Sequence, residues 1–330
     1  MNRLYHLRQT LLVNIENNLS YPNIEFILLN YGSTDELDTW VRNHLMEYIE
    51  LGIVKYLNVD NTPYFNRSHA RNIVFNNATG DIICNPDADC FIGKDFALHV
   101  NKIFFTTKHS FLVAFNSDNQ KYTEAHLGRI CCRKEDFHKI RGFDESIGSY
   151  GNSEIDFINR LIGTGLSKIR LTDPKFLVKV NHENIDRVRY ERLYVEMHAI
   201  YLEFIDIDKT KLFFLSKEDN TFLEFNVDES TEEMQIIHKG KFFERDNFFL
   251  FRNNENEYFV FRKDNDCIFS YNGELKKVDN SRIINKIVLL ICKNLNDRII
   301  EERNKNGYKI NPAGYGKARI RLNFNQMLKT

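Results

Sequence analysis

An alternation of helix-like and strand-like segments near the start of the chain limits the possible folds most strongly. Apolar side chains recur at helical spacing in some of these segments and form short continuous runs in others. The predicted order is helix 4–19, strand 24–29, helix 35–48, strand 53–57, helix 66–78 and strand 81–84. Helices that alternate with strands favour an α/β domain built on a parallel sheet.

Composition narrows the class of protein and its partners. The chain has 330 residues, which is long enough for a large core. Its net charge is −1, so we expect no binding to nucleic acid. No apolar run of about 18 residues and no signal-peptide core occur, so no transmembrane segment is predicted. The 6 cysteines lack Cys-x-x-Cys spacing, which favours a reducing compartment. We expect a cytoplasmic protein, or a peripheral one at the inner face of the cytoplasmic membrane.

Two carboxylates follow the last strand of this alternation. The strand at 81–84 leads into Asp87-Ala88-Asp89. Ligands collect at strand ends in open α/β sheets, and hard divalent cations prefer carboxylate and phosphate oxygens. An Asp-x-Asp motif alone is weak, because solvated turns carry it by chance. Its interpretation therefore depends on the motifs around it.

Five further motifs accompany the Asp-x-Asp motif. In chain order they are Asn30-Tyr31-Gly32-Ser33-Thr34-Asp35, Phe65-Asn66-Arg67-Ser68 with Asn72, Arg141-Gly142-Phe143-Asp144-Glu145, Ser149-Tyr150-Gly151-Asn152-Ser153-Glu154-Ile155-Asp156 and Val180-Asn181-His182. Together they make residues 1–200 resemble an inverting GT-A-type glycosyltransferase of family 2. The resemblance is strongest to β-1,4-galactosyltransferases and to bacterial chondroitin-type polymerase domains.

The resemblance implies a fold. A GT-A domain is Rossmann-like, with a mostly parallel sheet flanked by helices. Its first strand leads into an Asn-Arg loop, whereas here Asn2-Arg3 directly follow Met1. We therefore expect the chain as given to lack that first strand.

The resemblance also implies a metal site. Asp89 and His182 occupy the positions of metal ligands, and Asp87 would orient the metal or accept from the ribose hydroxyls. An imidazole among oxygen ligands suits Mn²⁺, with Mg²⁺ as the second candidate. Such a cation would stabilise a departing diphosphate as a Lewis acid.

A donor site follows from the same motifs. The fork of the Arg67 guanidinium matches phosphate oxygens, and the ring of Tyr150 provides a platform for a sugar. For Arg71 on the same helix, a solvated charge is an equally good interpretation. The predicted donor-binding residues are Asn30, Ser33, Asp35, Phe65, Arg67, Asn72, Asp87, Tyr150 and Gly151.

Two acidic residues are candidates for the catalytic base. Ser153 and Glu154 replace the family's Glu-Asp pair, and Glu154 aligns with the carboxylate that takes the acceptor proton. Asp156 is the competitor, although at a helix start it should face elsewhere. We expect it to bind the acceptor or to cap the helix.

The chain changes character after residue 204. Short alternating aromatic runs separated by polar turns predict an antiparallel β-rich insertion. We expect it to bind a glycan acceptor, contact a partner or cap the enzyme. The runs are 211–215, 221–225, 247–251, 257–261 and 267–271. The predicted domains are 1–204 catalytic, 205–282 β-rich insertion, and 283–330 a helix and tail that return to the catalytic domain.

The sequence thus predicts metal-dependent, inverting transfer from a UDP-sugar to a glycan or lipid-linked glycan acceptor in bacterial surface polysaccharide synthesis. Galactose or N-acetylhexosamine is the expected sugar. One alternative is a catalytically silent relative that binds sugar nucleotide or glycan, which Ser153 and Asn30 favour. Nucleotidyl transfer is a third hypothesis, but the Gly-rich loop that it needs after the first strand does not occur.

Overall fold

The computed structural model describes residues 1–60, 62–114, 129–228, 230, 233–269 and 273–329. The chain divides into two compact units. The first comprises Met1–His182 and Asn296–Thr330, and the second comprises Glu183–Leu295. These boundaries differ from the predicted divisions at 204 and 282, because residues on both sides of the β-rich segment belong to the second unit.

The first unit begins with the predicted alternation of helices and strands. The predicted helix over 35–48 is two helices, which meet at Leu45. The elements are α1 Leu4–Glu16, β1 Phe26–Tyr31, α2 Leu37–His44, α3 Met46–Glu50, β2 Val54–Val59, α4 Arg67–Asn76, β3 Ile82–Cys84, α5 Phe96–Thr106, β4 Ser110–Ala114, β5 Ile130–Arg133, α6 Lys134–Lys139, α7 Ser153–Gly163, β6 Ser167–Leu171 and a 3₁₀ turn Pro174–Phe176.

The second unit contains the predicted β-rich addition. Eight antiparallel strands close on themselves in the order β10-β11-β12-β13-β14-β7-β8-β9, and we call them the closed sheet. Ser270 and Tyr271 of the last predicted run lie outside the described residues. The elements are α8 Ile185–Val188, α9 Arg192–Glu196, β7 Met197–Phe204, β8 Lys209–Ser216, β9 Thr221–Asp228, β10 Glu233–Glu244, β11 Phe248–Asn253, β12 Tyr258–Asp264, β13 Cys267–Phe269 and β14 Glu274–Lys277.

The chain then forms one long helix and a final hairpin. The helix is α10 Ser281–Asn306, and the hairpin strands are β15 Arg319–Leu322 and β16 Gln326–Lys329. Among the residues that the structure describes, no helix has both the length and the apolarity that crossing a membrane requires.

Two mixed sheets form the frame of the first unit, instead of the mostly parallel sheet that we predicted. One has the order β1-β2-β15-β16, in which β1 and β2 are parallel and β15 runs antiparallel to β2. The other has the order β3-β5-β4-β6, in which only β4 and β6 are parallel. The antiparallel strands come from segments whose apolar runs carry no information on direction. The expected loss of a first strand stays a prediction.

Buried aromatic side chains join α4, α7 and the second mixed sheet. The rings of Phe143 and Phe157 stack at 4.1 Å between centroids, and Phe75 packs against Phe143 from α4. Burying a side chain of this size contributes roughly 1.5–3 kcal/mol. This core fixes α4 and the start of α7 relative to each other, and both carry candidate site residues.

Candidate functional site

The loop after β3 brings Asp89 beside His182. The backbone N–H of Val180 donates to the carbonyl of Asp89 at 2.7 Å, which holds the His182 segment against the loop. His182 Nε2 then lies 3.1 Å from Asp89 Oδ2. Burial opposes ionisation of Asp89, but the hydrogen bond and charge of His182 outweigh it and lower the pKa of that carboxyl. The structure therefore brings two of the three predicted metal ligands together.

The spacing of this pair suits a divalent cation. Two ligands about 2.1 Å from one ion and at a right angle lie about 3.0 Å apart, close to the observed separation. Among the described residues, no three His, Cys, Asp or Glu side chains come close enough to share an ion. Asp89 and His182 would thus leave several coordination positions to water and phosphate, which is how proteins commonly hold Mg²⁺ and similar ions.

The third predicted ligand, Asp87, faces an arginine. Arg71 Nη2 lies 3.5 Å from Asp87 Oδ1 and 2.5 Å from Glu154 Oε1. The Arg71 side chain is only 13% exposed, and its guanidinium lies over the ring of Phe143 at 5.1 Å. Surrounding protein atoms raise the pKa of Asp87, although Arg71 opposes this shift. Arg71 thus joins the loop after β3 to α7 and is not a solvated charge.

Glu154 lies in the first turn of α7 as a partly buried, ionised carboxylate. The Ser153 hydroxyl donates to Glu154 Oε2 at 2.9 Å, and Arg71 pairs with the other oxygen. Burial alone would raise the pKa of Glu154, but Arg71 outweighs this effect and lowers the value to about 2. The carboxylate is therefore ready to accept a proton at neutral pH, although its low pKa makes it a weak base.

The competitor Asp156 is enclosed by two arginines. Its side chain is 2% exposed, and its oxygens lie 2.8 Å from Arg160 and 2.5 Å from Arg303. Arg303 also pairs with Asp144 at 2.7 Å. Sequence analysis did not identify Arg303, because it lies far along the chain in a helix without motifs.

Arg67 lies between two aromatic side chains from the predicted donor set. Its guanidinium carbon is 5.3 Å from the centre of the Phe65 ring and 5.2 Å from that of Tyr150. The N–H of Arg67 donates to the carbonyl of Gly148 at 3.0 Å. Asn66 caps α4 by accepting from the N–H of His69 at 2.9 Å. These contacts join three predicted donor residues into one cationic and aromatic cluster.

The segment that carries Tyr150 is held by α10. The side-chain amide of Asn296 donates to the carbonyls of Ser149, Tyr150 and Gly151, the last at 2.7 Å. Gly151 has φ +100°, a conformation that strains any residue with a Cβ. Asn296 was not recognised in the sequence, because nothing in its spacing relates it to the motif.

The loop after β1 directs its first polar side chain inward. Asn30 is 4% exposed, and its amide donates to Asp38 at 2.9 Å and to the Tyr56 hydroxyl at 3.0 Å. Its carbonyl accepts from the N–H of Ser33 at 2.8 Å. Asn30 therefore shapes this loop from within, and its side chain is fully engaged by protein groups.

The other polar residues of this loop contact the start of the chain. Asp35 Oδ2 accepts from the N–H of Leu4 at 3.0 Å. The hydroxyl of Ser33 accepts from the N–H of Asn2 at 2.9 Å. Both predicted donor residues thus anchor the beginning of α1.

Asn72 also serves the protein interior. It donates to the Phe143 carbonyl at 2.9 Å and to Glu145 Oε1 at 2.9 Å, and it accepts from the Phe143 N–H at 2.8 Å. These bonds tie α4 to the turn at 141–145. The motif residue is therefore placed as a structural support of the site.

Comparison with known proteins relates part of the chain to a family. Residues 2–154 match the sequence model of Glycosyl transferase family 2. No curated protein sequence matches the chain.

Solved structures similar to parts of the chain are distant. Residues 1–349 of S. aureus TarS are 13% identical, with 52% of this chain and 56% of TarS covered and a TM-score of 0.44. The catalytic domain of Drosophila β1,4-galactosyltransferase 7 with xylobiose is 18% identical, covering 50% of this chain and 73% of that one, with a TM-score of 0.35. A mutant of the Drosophila enzyme, in complex with manganese, UDP-Gal and xylobiose, is also 18% identical. The match covers 50% of this chain and 74% of that one, with a TM-score of 0.35.

The family match takes in the loop of Asp87 and Asp89, the Arg67 cluster and, at its last residue, Glu154. Over residues 2–154, just under half of its length, the chain is therefore similar to the glycosyltransferases of family 2.

Proposed function

We propose that the chain transfers a sugar from a UDP-sugar to a hydroxyl of a glycan or lipid-linked glycan acceptor, with inversion and with a divalent metal. We further propose that the product is a bacterial surface polysaccharide and the sugar galactose or an N-acetylhexosamine. The observation that carries the proposal is the pairing of Asp89 with His182 at 3.1 Å, in the loop that also carries Asp87. Two such ligands, in a loop whose Asp87 also feels the charge of Arg67, suit a diphosphate leaving group.

Asp89 and His182 would hold Mn²⁺ or Mg²⁺. When bound, the ion supplies positive charge that stabilises the departing diphosphate. Arg67 would add a second positive charge, with its orientation set by Phe65 and Tyr150. The rest of the predicted donor set would act mainly by shaping the pocket, since Asn30 and Asn72 are engaged by protein groups.

Glu154 would act as the general base. The acceptor oxygen attacks the sugar carbon from the face opposite the nucleotide, the bond from that carbon to the phosphate oxygen breaks, and UDP leaves. The acceptor hydroxyl proton passes to Glu154. Asp156 is a poorer candidate because Arg160 and Arg303 enclose its carboxylate. Arg71 would keep Glu154 ionised until the proton arrives.

A substitution at Asp89 tests the metal site. We expect Asp89→Asn to abolish the Mn²⁺-dependent part of UDP binding in titration calorimetry, because one of two protein ligands loses its charge. Asp81→Asn is the matched control, since Asp81 is an exposed carboxylate that precedes β3, whereas Asp89 follows that strand. If Mn²⁺ strengthens UDP binding equally in the wild type, Asp89→Asn and Asp81→Asn, the metal site at Asp89 is excluded from the proposal.

A catalytically silent, nucleotide-binding role is the second candidate. The ion pair of Glu154 with Arg71 favours it, because a carboxylate with a pKa of about 2 is a weak base. Incubation with a panel of UDP-sugars, with and without Mn²⁺ and acceptor glycans, separates the two functions. Metal-dependent UDP release and a glycosylated product support transfer, whereas tight UDP binding without turnover of any donor supports the silent role.

A further inference from the structure

A cationic cavity lies outside the residues assigned above. It has a volume of about 460 Å³ and is bordered by the end of β2, the start of α4 and the hairpin of β15 and β16. Its charged lining comes from Asp60, Lys317, Arg319 and Arg321, and His69 adds an imidazole ring. A cavity of this size falls in the range that holds small organic ligands.

Positive charge prevails in this cavity. Three permanent cations face one carboxylate, although the whole chain has a net charge of −1. Arg321 pairs with Asp60 at 2.6 Å, and the ammonium of Lys317 donates to the carbonyl of Ala313. Arg319 is exposed. The carboxylate therefore offsets only part of the local charge, and an anion would find guanidinium donors on one wall.

The backbone fixes that wall. Pairing of β15 with β2 places Arg321 opposite Asn58 and Ile320 opposite Val59. Because side chains alternate along a strand, Arg319 and Arg321 share one face of β15 while Ile320 is buried on the other. His69 Nε2 lies 3.0 Å from the carbonyl of Lys317, to which its N–H donates. The backbone that carries the cationic side chains is thus held in place before any ligand binds.

The same histidine reaches the loop after β1. His69 Nδ1 lies 2.8 Å from the hydroxyl of Tyr31, so a neutral ring that donates from Nε2 accepts there from Tyr31. Tyr31 immediately follows Asn30. The cavity is therefore a neighbour of the loop that we assign to the donor, yet it shares none of the predicted donor residues.

We propose that this cavity is an anion-binding subsite, separate from the diphosphate site, that takes a phosphate or carboxylate group of a second ligand. Arginine forks match the paired oxygens of both groups. Val59 and Met327 add apolar surface, which suits the carbon skeleton of a phosphorylated or acidic sugar. The inference does not depend on the transfer reaction.

Titration calorimetry tests the subsite with two probes, inorganic phosphate and glucuronate, at ionic strength held constant with sodium chloride. We expect one equivalent of at least one probe to bind the wild-type chain, and the tighter probe identifies the preferred group. Arg319→Gln should weaken that binding about tenfold, since a charge-assisted hydrogen bond is lost. Lys317→Gln, which lies outside the strand, should also weaken it, whereas Lys102→Gln on α5 should have no effect.

A competition experiment separates this subsite from the donor site. We expect saturating UDP with Mg²⁺ to leave the affinity for the probe unchanged. Displacement of the probe by UDP would overturn the proposal, because the cavity would then belong to the donor. Absence of binding by both probes, or equal affinity in the wild type and in the Arg319 and Lys317 variants, would also overturn it.

Discussion

A single buried guanidinium controls the ionisation of the candidate base. Arg71 pairs with Glu154 at 2.5 Å, while Asp87 lies within 3.5 Å on the other side. The pair lies in a region of low polarity, where charges interact more strongly than in water. Because the pKa of Glu154 is lowered from 4.5 to about 2, the pair stabilises the folded state above about pH 4.5. That stabilisation is lost as the pH falls toward 2.

We expect Arg71→Met to move the acid limb of the pH–rate profile to higher pH. The acid limb of kcat/KM reports the pKa of the base in the free enzyme. With the wild-type pKa at about 2, protonation of Glu154 should not limit activity between pH 8 and about pH 4. Without Arg71, burial would raise the pKa of Glu154 above 4.5, so activity should fall below about pH 5. Steady-state kinetics between pH 4 and 8 measures this shift, and identical limbs in both proteins would exclude Glu154 as the base.

We expect Glu154→Gln to lower turnover by about 10²–10⁴, the usual contribution of a general base, while UDP binding is unchanged. Asp156→Asn is the matched comparison. It should lower thermal stability, because Arg160 and Arg303 lose a buried partner, yet keep most of the turnover per folded molecule. Normal turnover in Glu154→Gln with a large loss in Asp156→Asn would exchange the two roles.

The residues of the site were only partly predictable from the sequence. Motif order predicted that Asp89 and His182 belong together, and the structure places them 3.1 Å apart. Sequence spacing does not tell whether a polar side chain faces a ligand or the protein, so the inward positions of Asn30 and Asn72 were not foreseen. Arg71 could have been suspected, because it lies one helical turn after Arg67 and therefore on the same face.

At the scale of elements, α10 contributes to the site through its second half. Asn296 holds the segment of Tyr150 and Gly151, and Arg303 joins Asp144 to Asp156. Helical periodicity predicted the helix, but periodicity cannot tell which buried charge an arginine will meet. The antiparallel pairing of β15 with β2 could not be predicted from the sequence either, since these strands come from opposite ends of the chain.

We expect Arg303→Met to destabilise the first unit by about 3–5 kcal/mol, because it leaves two buried carboxylates without their shared partner. Lys305→Met is the control, since Lys305 lies exposed on the same helix. The midpoint of urea unfolding, followed by intrinsic tryptophan fluorescence of Trp40, measures the difference. If the free energy of unfolding falls by less than about 1 kcal/mol, water or neighbouring residues replace the guanidinium as partners of the two carboxylates.

At the scale of the whole molecule, the closed sheet is an insertion whose ends meet. β14 pairs with β7, so that Lys277 lies opposite Tyr201 and the N–H of Val278 donates to the carbonyl of Ile200 at 2.9 Å. The alternating runs predicted antiparallel strands. They could not predict closure, because pairing of the first strand with the last depends on side chains about eighty residues apart rather than on local pattern.

The closed sheet should therefore be removable. Met197 lies three residues from Ile200, about 10 Å along the strand, so a linker of four to six Gly and Ser residues can join Glu196 to Asp279. All predicted site residues lie in Met1–His182, so we expect this deletion to keep the fold of that unit and its metal-dependent UDP affinity. Circular dichroism and titration calorimetry check both expectations. Intact donor hydrolysis with loss of transfer would assign the closed sheet to the acceptor, whereas an insoluble deletion would contradict its independence as a folding unit.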